Sequence, residues 1–359
     1  MSRPDGPGPS TTWGEVAVEA AAQVSLSAVE ALWRALNYLS AAQLYLQDNL
    51  RLERRLEPGD VKENPSGHWG VCPPTNLVLA HLAPVLRHAG PGMELDIVHG
   101  AGHAAPSAFA FSYLTGELGR SRPCLRQTPS GLRAFVSGFP HGHGLGSEIT
   151  PAIPGQRYMG GQLGPALAFG YGTVLDAPHR LTAVLVGDGE CETGLTAATW
   201  LGARALRHTG NHGAVLPVVL LNGLRQGGPS LLAGLSPARQ REYFRGLGWD
   251  PVFDPGTDQA AFRSTLMRAL AAVRPVGDDE RPVVVVVTLA KGATGPEQLD
   301  GRAIIGTPRV HKTPLHQPRQ KPSELAMLDR WLRSYRPGEL LTGSGAPTAL
   351  PRAALPVMV

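Results

Sequence analysis

Several apolar runs of this sequence are each followed by polar or glycine-rich residues that could do chemistry. Asp188 lies in Gly187-Asp188-Gly189-Glu190, directly after one run, and Asn222 follows the next run along the chain. Carboxylate and amide oxygens are ligands that Mg²⁺ takes in proteins, and the flanking glycines let phosphate groups approach the backbone. His103 and Lys291 follow two further runs. The pattern predicts a site for a divalent cation and a diphosphate.

The elements that must position these residues are strands of a parallel sheet. The runs have strand length and are continuously apolar, as in strands buried on both faces: Leu95–Val98, Thr182–Val186, Val215–Leu221 and Val283–Leu289. Helical patterns lie between them, at Leu163–Leu175, Thr196–Arg207, Pro237–Gly246 and Gln259–Val273. This alternation predicts an α/β fold of three αβα layers, doubly wound around a mostly parallel sheet. Ligands of such sheets bind beyond the carboxyl ends of the strands, where these polar residues lie.

The rest of the chain is divided by composition and by the spacing of its apolar residues. We expect a flexible leader over residues 1–20 and the α/β domain over residues 21–300, with a helical segment at 21–50. Residues 301–341 extend that domain and include a helix at 323–334. The proline-rich residues 342–359 are expected to form a linker-like tail.

Composition excludes several classes of protein. The 359 residues are 42% hydrophobic, enough for a real core, and 33 Lys+Arg against 29 Asp+Glu give a net charge of only +4. The basic residues that gather late in the chain are separated by prolines, which favours solvated surface over an anionic ligand and disfavours nucleic acid. Three cysteines without a CxxC pair support neither a disulfide scaffold nor a zinc site. Without an apolar run of about 18 residues, we expect a cytoplasmic protein with no membrane or nucleic-acid partner.

One competing motif indicates a dinucleotide instead. Gly100–Ala105 satisfies G-x-G-x-x-A after an apolar run, and Glu117 lies where a ribose-binding acid belongs. A dinucleotide unit needs a second strand that ends at that acid, and residues 111–122 contain no apolar run. We therefore keep this hypothesis only as a weak alternative.

Together, the motifs resemble the N-terminal half of phosphoketolase, a thiamine-diphosphate enzyme that cleaves xylulose 5-phosphate or fructose 6-phosphate with inorganic phosphate. The resemblance runs from around Asn37 to Leu341. It rests on Gly67-His68-Trp69-Gly70, on Gly187-Asp188-Gly189-Glu190-Cys191-Glu192-Thr193-Gly194, on Leu221-Asn222-Gly223, on Lys291-Gly292 and on His311.

The resemblance implies a role for each matching residue. Mg²⁺ would be held by Asp188, Asn222 and the backbone carbonyl of Leu224. The diphosphate of thiamine diphosphate would be lined by Gly187, Gly189 and Glu190 together with these residues. Lys291 and His311 would lie beside the cofactor and the reacting groups, and His68 and His103 would donate hydrogen bonds to substrate oxygens.

The departures from the family fall at the substrate end of the implied site. Glu148 replaces an active-site histidine, and a second family motif is rewritten at Tyr158, Met159 and Gln162. Leu224 replaces a tyrosine, which matters little if only its carbonyl binds the metal. The donor is therefore expected to be a sugar phosphate or an altered relative of one.

The family's second half carries the pyrimidine-binding domain and the glutamate that activates the cofactor, and both lie beyond the residues seen here. We expect the chain to need a separate pyrimidine-domain subunit, to form a homo- or hetero-oligomer, and to be nearly inactive alone. The alternative is a degenerate, non-catalytic module that acts in partner binding or regulation.

Overall fold

A sheet of five parallel strands lies at the centre of the protein, in a computed structural model that describes residues 12–89, 92–206, 209, 211–273 and 281–356. Its strands are β1 (Glu94–His99), β2 (Arg180–Gly187), β3 (Ala214–Leu220), β6 (Asp250–Asp254) and β7 (Val283–Val287), in the order β1-β2-β3-β7-β6. Two short antiparallel pairs lie outside it: β4 (Leu224–Arg225) with β5 (Gly228–Pro229), and β8 (Gln298–Leu299) with β9 (Arg302–Ala303). The predicted mostly parallel α/β fold is confirmed.

The sheet contains one strand that the sequence analysis did not predict. β6 pairs with β7 at the edge of the sheet, with Pro251 opposite Val284. Its sequence, Asp250-Pro251-Val252-Phe253-Asp254, is interrupted by a proline and bounded by two acids. A proline lacks a backbone N–H, which an edge strand can spare on its unpaired side. Pro217 of the central strand β3 lies where β3 pairs with β2 but not with β7.

The helices of the described residues cover both faces of the sheet and extend to one side of it. They are α1 (Trp13–Gln23), α2 (Leu26–Tyr45), α3 (Cys72–His88), α4 (Ala105–Leu114), α5 (Glu117–Ser121), α6 (Pro129–Gly138), α7 (Ala166–Val174), α8 (Asp188–Cys191), α9 (Gly194–Thr199), α10 (Gly202–Leu206), α11 (Pro237–Gly246), α12 (Gln259–Ala272), α13 (Pro322–Ser334), α14 (Pro337–Leu340) and α15 (Ala349–Arg352).

Each face of the sheet packs into a separate hydrophobic core. On β2, Leu181, Ala183 and Leu185 pack in one cluster with side chains of α1, α3 and α12. The intervening Val184 and Val186 pack in the other cluster with side chains of α7, α10 and α11. Successive side chains of a strand point to opposite faces of the sheet. A continuously apolar strand therefore packs against the helices on both faces. This is the three-layer αβα arrangement that the sequence predicts.

A third core surrounds α2, whose 20 residues are buried over most of their length. α2 contacts α3, α4 and α6. The buried side chain of Lys62 binds three backbone carbonyl oxygens beside this core. Its ammonium donates hydrogen bonds to the carbonyl oxygens of Gln43 at 2.6 Å, Val136 at 2.8 Å and Phe139 at 2.5 Å. Burial lowers the pKa of Lys62 to about 7. One side chain thus ties the end of α2 to the end of α6.

Both terminal segments differ from the expected leader and tail. The leader expected over residues 1–20 is wrong from Thr12 onward, because Thr12 and Glu15 form a capping box at the start of α1. Trp13, Val16, Ala17 and Ala20 are buried, and α1 packs against α12. The linker-like tail is also wrong over residues 342–356, since α15 packs on α2 and Leu355 is buried. Residues 1–11 and 357–359 lie outside the described residues.

Within the described residues, no single helix has both the length and the apolar composition to cross a membrane. α1 and α2 meet these criteria only when taken together, and they are bent by 93° at their junction.

The chain after β1 does not form the dinucleotide unit that Gly100–Ala105 would require. Gly102–Ala104 is a short turn that leads into α4, and Glu117 begins α5 instead of ending a second strand. A Cβ atom on Gly102 would overlap with the backbone of Gly160 and with the carboxylate of Glu148. This glycine is therefore needed for a close approach between two loops.

Candidate active site

The carboxyl ends of the central strands border a cavity of about 570 Å³. All ten residues that the sequence analysis singled out line it: His68, His103, Gly187, Asp188, Gly189, Glu190, Asn222, Leu224, Lys291 and His311. The structure thus brings the predicted residues together, while their individual roles stay predictions. Asp188 and Asn222 follow the neighbouring strands β2 and β3, whose parallel pairing places both at one edge.

Asp188 is the best-anchored side chain of the cavity. It is buried, and its Oδ2 accepts hydrogen bonds at 2.8 Å from the Gly223 amide and from the Ser230 hydroxyl. Burial raises the pKa of Asp188, while these hydrogen bonds and the nearby Lys291 oppose the rise. Among the described residues, its other oxygen, Oδ1, accepts only from the adjacent Gly189 amide at 3.0 Å, and it retains capacity for a further partner.

Oxygen atoms of a second loop lie beside Asp188. The Asn222 side-chain oxygen accepts from the Leu224 amide at 3.0 Å, and the Leu224 carbonyl accepts from the buried Lys291 ammonium at 2.9 Å. Burial lowers the pKa of Lys291, and Asp188 opposes this shift. One carboxylate, one amide and one carbonyl form an oxygen donor set suited to Mg²⁺, which usually also binds water and phosphate oxygens. Among the described residues no group of three His, Cys, Asp or Glu could hold a metal, so a cation here would depend on this mixed set.

Glu190 is buried between two loops. Its carboxylate accepts hydrogen bonds from the amides of Gly164 at 3.1 Å and Gly187 at 3.3 Å. A Cβ atom on Gly100 would overlap with this carboxylate, so the first glycine of the competing motif makes room for Glu190. Burial raises the pKa of Glu190 from 4.5 to about 7.

This shift makes the stability of the protein depend on pH. Folded Glu190 binds its proton more tightly than the unfolded chain does, so its contribution is fully present below pH 4.5 and is lost as pH rises through 7. We expect the wild-type free energy of unfolding to fall by about 3 kcal/mol across that window from this group alone. Glu190→Gln should remove this pH-dependent part of the free energy of unfolding. Urea unfolding of the wild type and the variant at several pH values would measure the difference. Glu339→Gln, at an exposed glutamate, serves as the control, and parallel pH profiles for wild type and Glu190→Gln would contradict the assignment.

Three imidazoles lie close together in the wall of the cavity. The ring centres of His68 and His103 lie 5.0 Å apart, those of His68 and His311 5.1 Å, and those of His103 and His311 5.4 Å. Burial and the neighbouring cations and imidazoles lower the pKa of His103 to about 3 and of His311 to about 4, and they also lower that of His68. The cluster is therefore uncharged at neutral pH, and each ring offers one donor and one acceptor.

Other lining residues were not predicted as site residues. Ser230 reaches Asp188 only because the β4–β5 hairpin folds back, and no sequence pattern marks that contact. Arg225 also lines the cavity and pairs with Glu192 at 3.0 Å. Glu148 lines the cavity beside Gly102, and burial raises its pKa.

The rewritten family motif lies at the mouth of the cavity. Tyr158 is buried and its hydroxyl donates to the carbonyl of Gln162 at 2.7 Å, whereas Met159 is 56% exposed. Leu163, which lines the cavity, is 47% exposed. Met159 and Gln162 are therefore part of the surface, whereas Tyr158 packs inside, near Glu190.

Comparison with solved structures identifies the class of fold. The transketolase from Leishmania mexicana superimposes with a TM-score of 0.63 at 17% identity, over 92% of this chain and 44% of that chain. The transketolase from Campylobacter jejuni gives a TM-score of 0.56 at 17% identity, over 88% of this chain and 47% of that chain. The α/β fold is that of the transketolases.

The chain belongs to the phosphoketolase family. A family model described as "XFP N-terminal domain" matches residues 20–357. Proteins described as "Probable phosphoketolase" are 37% identical in Rhodopseudomonas palustris (89% of this chain, 42% of that protein) and 38% identical in Streptomyces coelicolor (92% and 43%). The resemblance stated from the motifs is thereby confirmed, and the chain spans less than half the length of these relatives.

Proposed function

We propose that this chain is the cofactor-binding half of a thiamine-diphosphate-dependent enzyme of phosphoketolase type. It would cleave a carbon–carbon bond of a ketose phosphate, with inorganic phosphate as the second substrate. The observation that carries the proposal is that Asp188, Asn222 and Leu224 line the same cavity as a cluster of three imidazoles that are uncharged at neutral pH.

The residues fit the implied group. Asp188, Asn222 and the Leu224 carbonyl would hold Mg²⁺, and Gly187, Gly189 and Glu190 would border the diphosphate. Thiamine diphosphate, when bound, supplies the carbanion chemistry that protein side chains lack. Lys291 would balance the negative charge gathered at this end, since its buried ammonium already lies near Asp188.

The protein's own contribution at the other end is hydrogen bonding and proton transfer. Because His68, His103 and His311 are uncharged at neutral pH, each can donate to one substrate oxygen and accept a proton at its second nitrogen. Glu148 adds a carboxylate that accepts hydrogen bonds when ionised. We propose that it favours donors that present hydroxyl groups at that position.

A partner domain is part of the proposal. Leu163, which lines the cavity, is exposed, and so are three apolar side chains on neighbouring segments: Met159, Leu195 and Leu231. Exposed apolar surface beside a site is typical of an interface, and the longer relatives contain sequence that this chain does not match. We propose that a pyrimidine-binding domain, from a separate subunit, covers this rim and completes the active site.

Reconstitution tests the proposed function. The chain would be mixed with the second half of the Streptomyces coelicolor relative, thiamine diphosphate, Mg²⁺, phosphate and a panel of ketose phosphates. We expect donor cleavage that requires the cofactor and both halves, with little turnover by the chain alone. The altered residues Glu148 and Met159 favour the second candidate, a non-catalytic module. That candidate predicts no cleavage of any donor and no cofactor-dependent rise in melting temperature.

A further inference from the structure

A second cavity, of about 280 Å³, lies beside β1 and shares no lining residue with the candidate active site. It is bordered by β1, by α3 and α4, and by the loop at residues 154–156. About half of its wall is apolar, and the apolar part includes Leu79, Leu86, Leu95, Ile97, Ala108 and Phe111. A cavity of this size is slightly smaller than ordinary ligand sites, so its occupant would be small.

His99 provides a polar group in this wall. The side chain is 2% exposed, and neither ring nitrogen has a hydrogen-bond partner among the described residues. Leaving a buried polar atom unpaired costs about 1–3 kcal/mol. Burial lowers the pKa of His99 to about 4, so at neutral pH the ring has one N–H to donate and one nitrogen to accept. A hydroxyl or an amide is the kind of group that could satisfy both.

The charged groups of the wall already have partners or opposite charges nearby. Asp96 lies 3.7 Å from Arg157 and 3.5 Å from Arg180. Glu117 accepts from the Thr115 hydroxyl at 3.4 Å, and Arg120 favours its ionised form against the effect of burial. An ammonium brought into this cavity would compete with Arg157 and Arg180 for Asp96. A carboxylate would be desolvated beside Asp96 and Glu117 without a free counter-charge.

We propose that the cavity beside β1 binds a small uncharged organic molecule that has a hydroxyl or amide group next to an apolar body. The polar group hydrogen-bonds to His99, and the apolar body packs against Ile97 and Phe111. His99 is followed directly by Gly100, which packs on Glu190, and by the loop that carries His103.

Four probes that share one ring separate the possible ligand classes: benzyl alcohol, toluene, benzoate and benzylamine. Each is titrated into the full chain without thiamine diphosphate or Mg²⁺, and binding is followed by NMR. We expect saturable binding of benzyl alcohol at least about tenfold tighter than that of toluene, because only the alcohol bonds to His99. Benzoate and benzylamine should bind more weakly than toluene.

Two variants locate the binding. His99→Phe keeps an aromatic side chain but removes both nitrogens, so the affinity for benzyl alcohol should fall to that for toluene. His141→Phe, the same change at an exposed histidine, should leave binding unchanged. Ala108→Leu narrows the cavity from α4 and should weaken all four probes, which keeps the test informative if His99→Phe does not fold.

The proposal would be overturned by tightest binding of a charged probe, by unchanged affinity in His99→Phe, or by no saturable binding to the wild type. None of these results would affect the proposed function, because the titrations contain neither thiamine diphosphate nor Mg²⁺.

Discussion

Replacing Asp188 with asparagine is expected to weaken the joint binding of thiamine diphosphate and Mg²⁺ by about 100-fold or more. The substitution keeps the size of the side chain and removes the only carboxylate of the proposed donor set. The asparagine can still accept from Gly223 and Ser230 through its one oxygen, but its NH2 group would face the Gly189 amide, so the folding of the variant is checked separately by thermal unfolding. Isothermal titration with the cofactor and Mg²⁺ together measures the effect.

Asp254→Asn is the matched control. Asp254 is also a buried aspartate at the end of a parallel strand, but its carboxylate accepts from the Gly256 amide and the Thr265 hydroxyl and does not line the cavity. Its variant should bind the cofactor like the wild type, whatever it does to stability. Equal cofactor affinity in Asp188→Asn and in the wild type would refute the assignment of the metal end.

Replacing Lys62 with methionine is expected to lower the free energy of unfolding by about 3–5 kcal/mol. The thioether fills similar space but cannot donate, so the carbonyls of Gln43, Val136 and Phe139 would lose a buried donor together. Urea unfolding followed by circular dichroism would measure the loss.

Lys321→Met provides the comparison for that variant. Lys321 is exposed and makes one ion pair, with Glu324 at 3.3 Å, so its loss should cost no more than about 1 kcal/mol. A Lys62 variant no less stable than the Lys321 variant would show that the ammonium does not hold α2 and α6 together.

The sheet could be predicted because its central strands are buried on both faces. The five consecutive valines of β7 indicate a strand whose side chains pack into two cores, one on each face of the sheet. Parallel pairing then brings Asp188 and Asn222 to one edge of the sheet. β6 could not be predicted in this way. As an edge strand it can contain a proline and two acidic residues, and these interrupt the apolar pattern from which a strand is predicted. The capping box at Thr12 was visible in the sequence, but the apolar stripe of α1 was too short to stand out from a leader.

Of the three imidazoles, His103 could be predicted from its place after an apolar run, whereas His68 and His311 were accessible only through family resemblance. His68 and His311 come from irregular segments, and their contact depends on how two distant loops pack, which no periodicity encodes. The contact between Ser230 and Asp188 depends in the same way on a two-residue hairpin. Local sequence patterns predict helices and strands, whereas contacts between residues of distant loops are determined by tertiary packing.

The two ends of the active-site cavity are built from different kinds of structure. The Asp188 end follows the middle strands of the sheet, whereas the histidines, Glu148 and Met159 come from connecting segments. Segments of the second kind can change sequence without disturbing the sheet. The connecting segments can therefore differ in sequence while the strand ends that carry Asp188 and Asn222 keep their positions, and new loops grafted onto this sheet should leave those two residues in place.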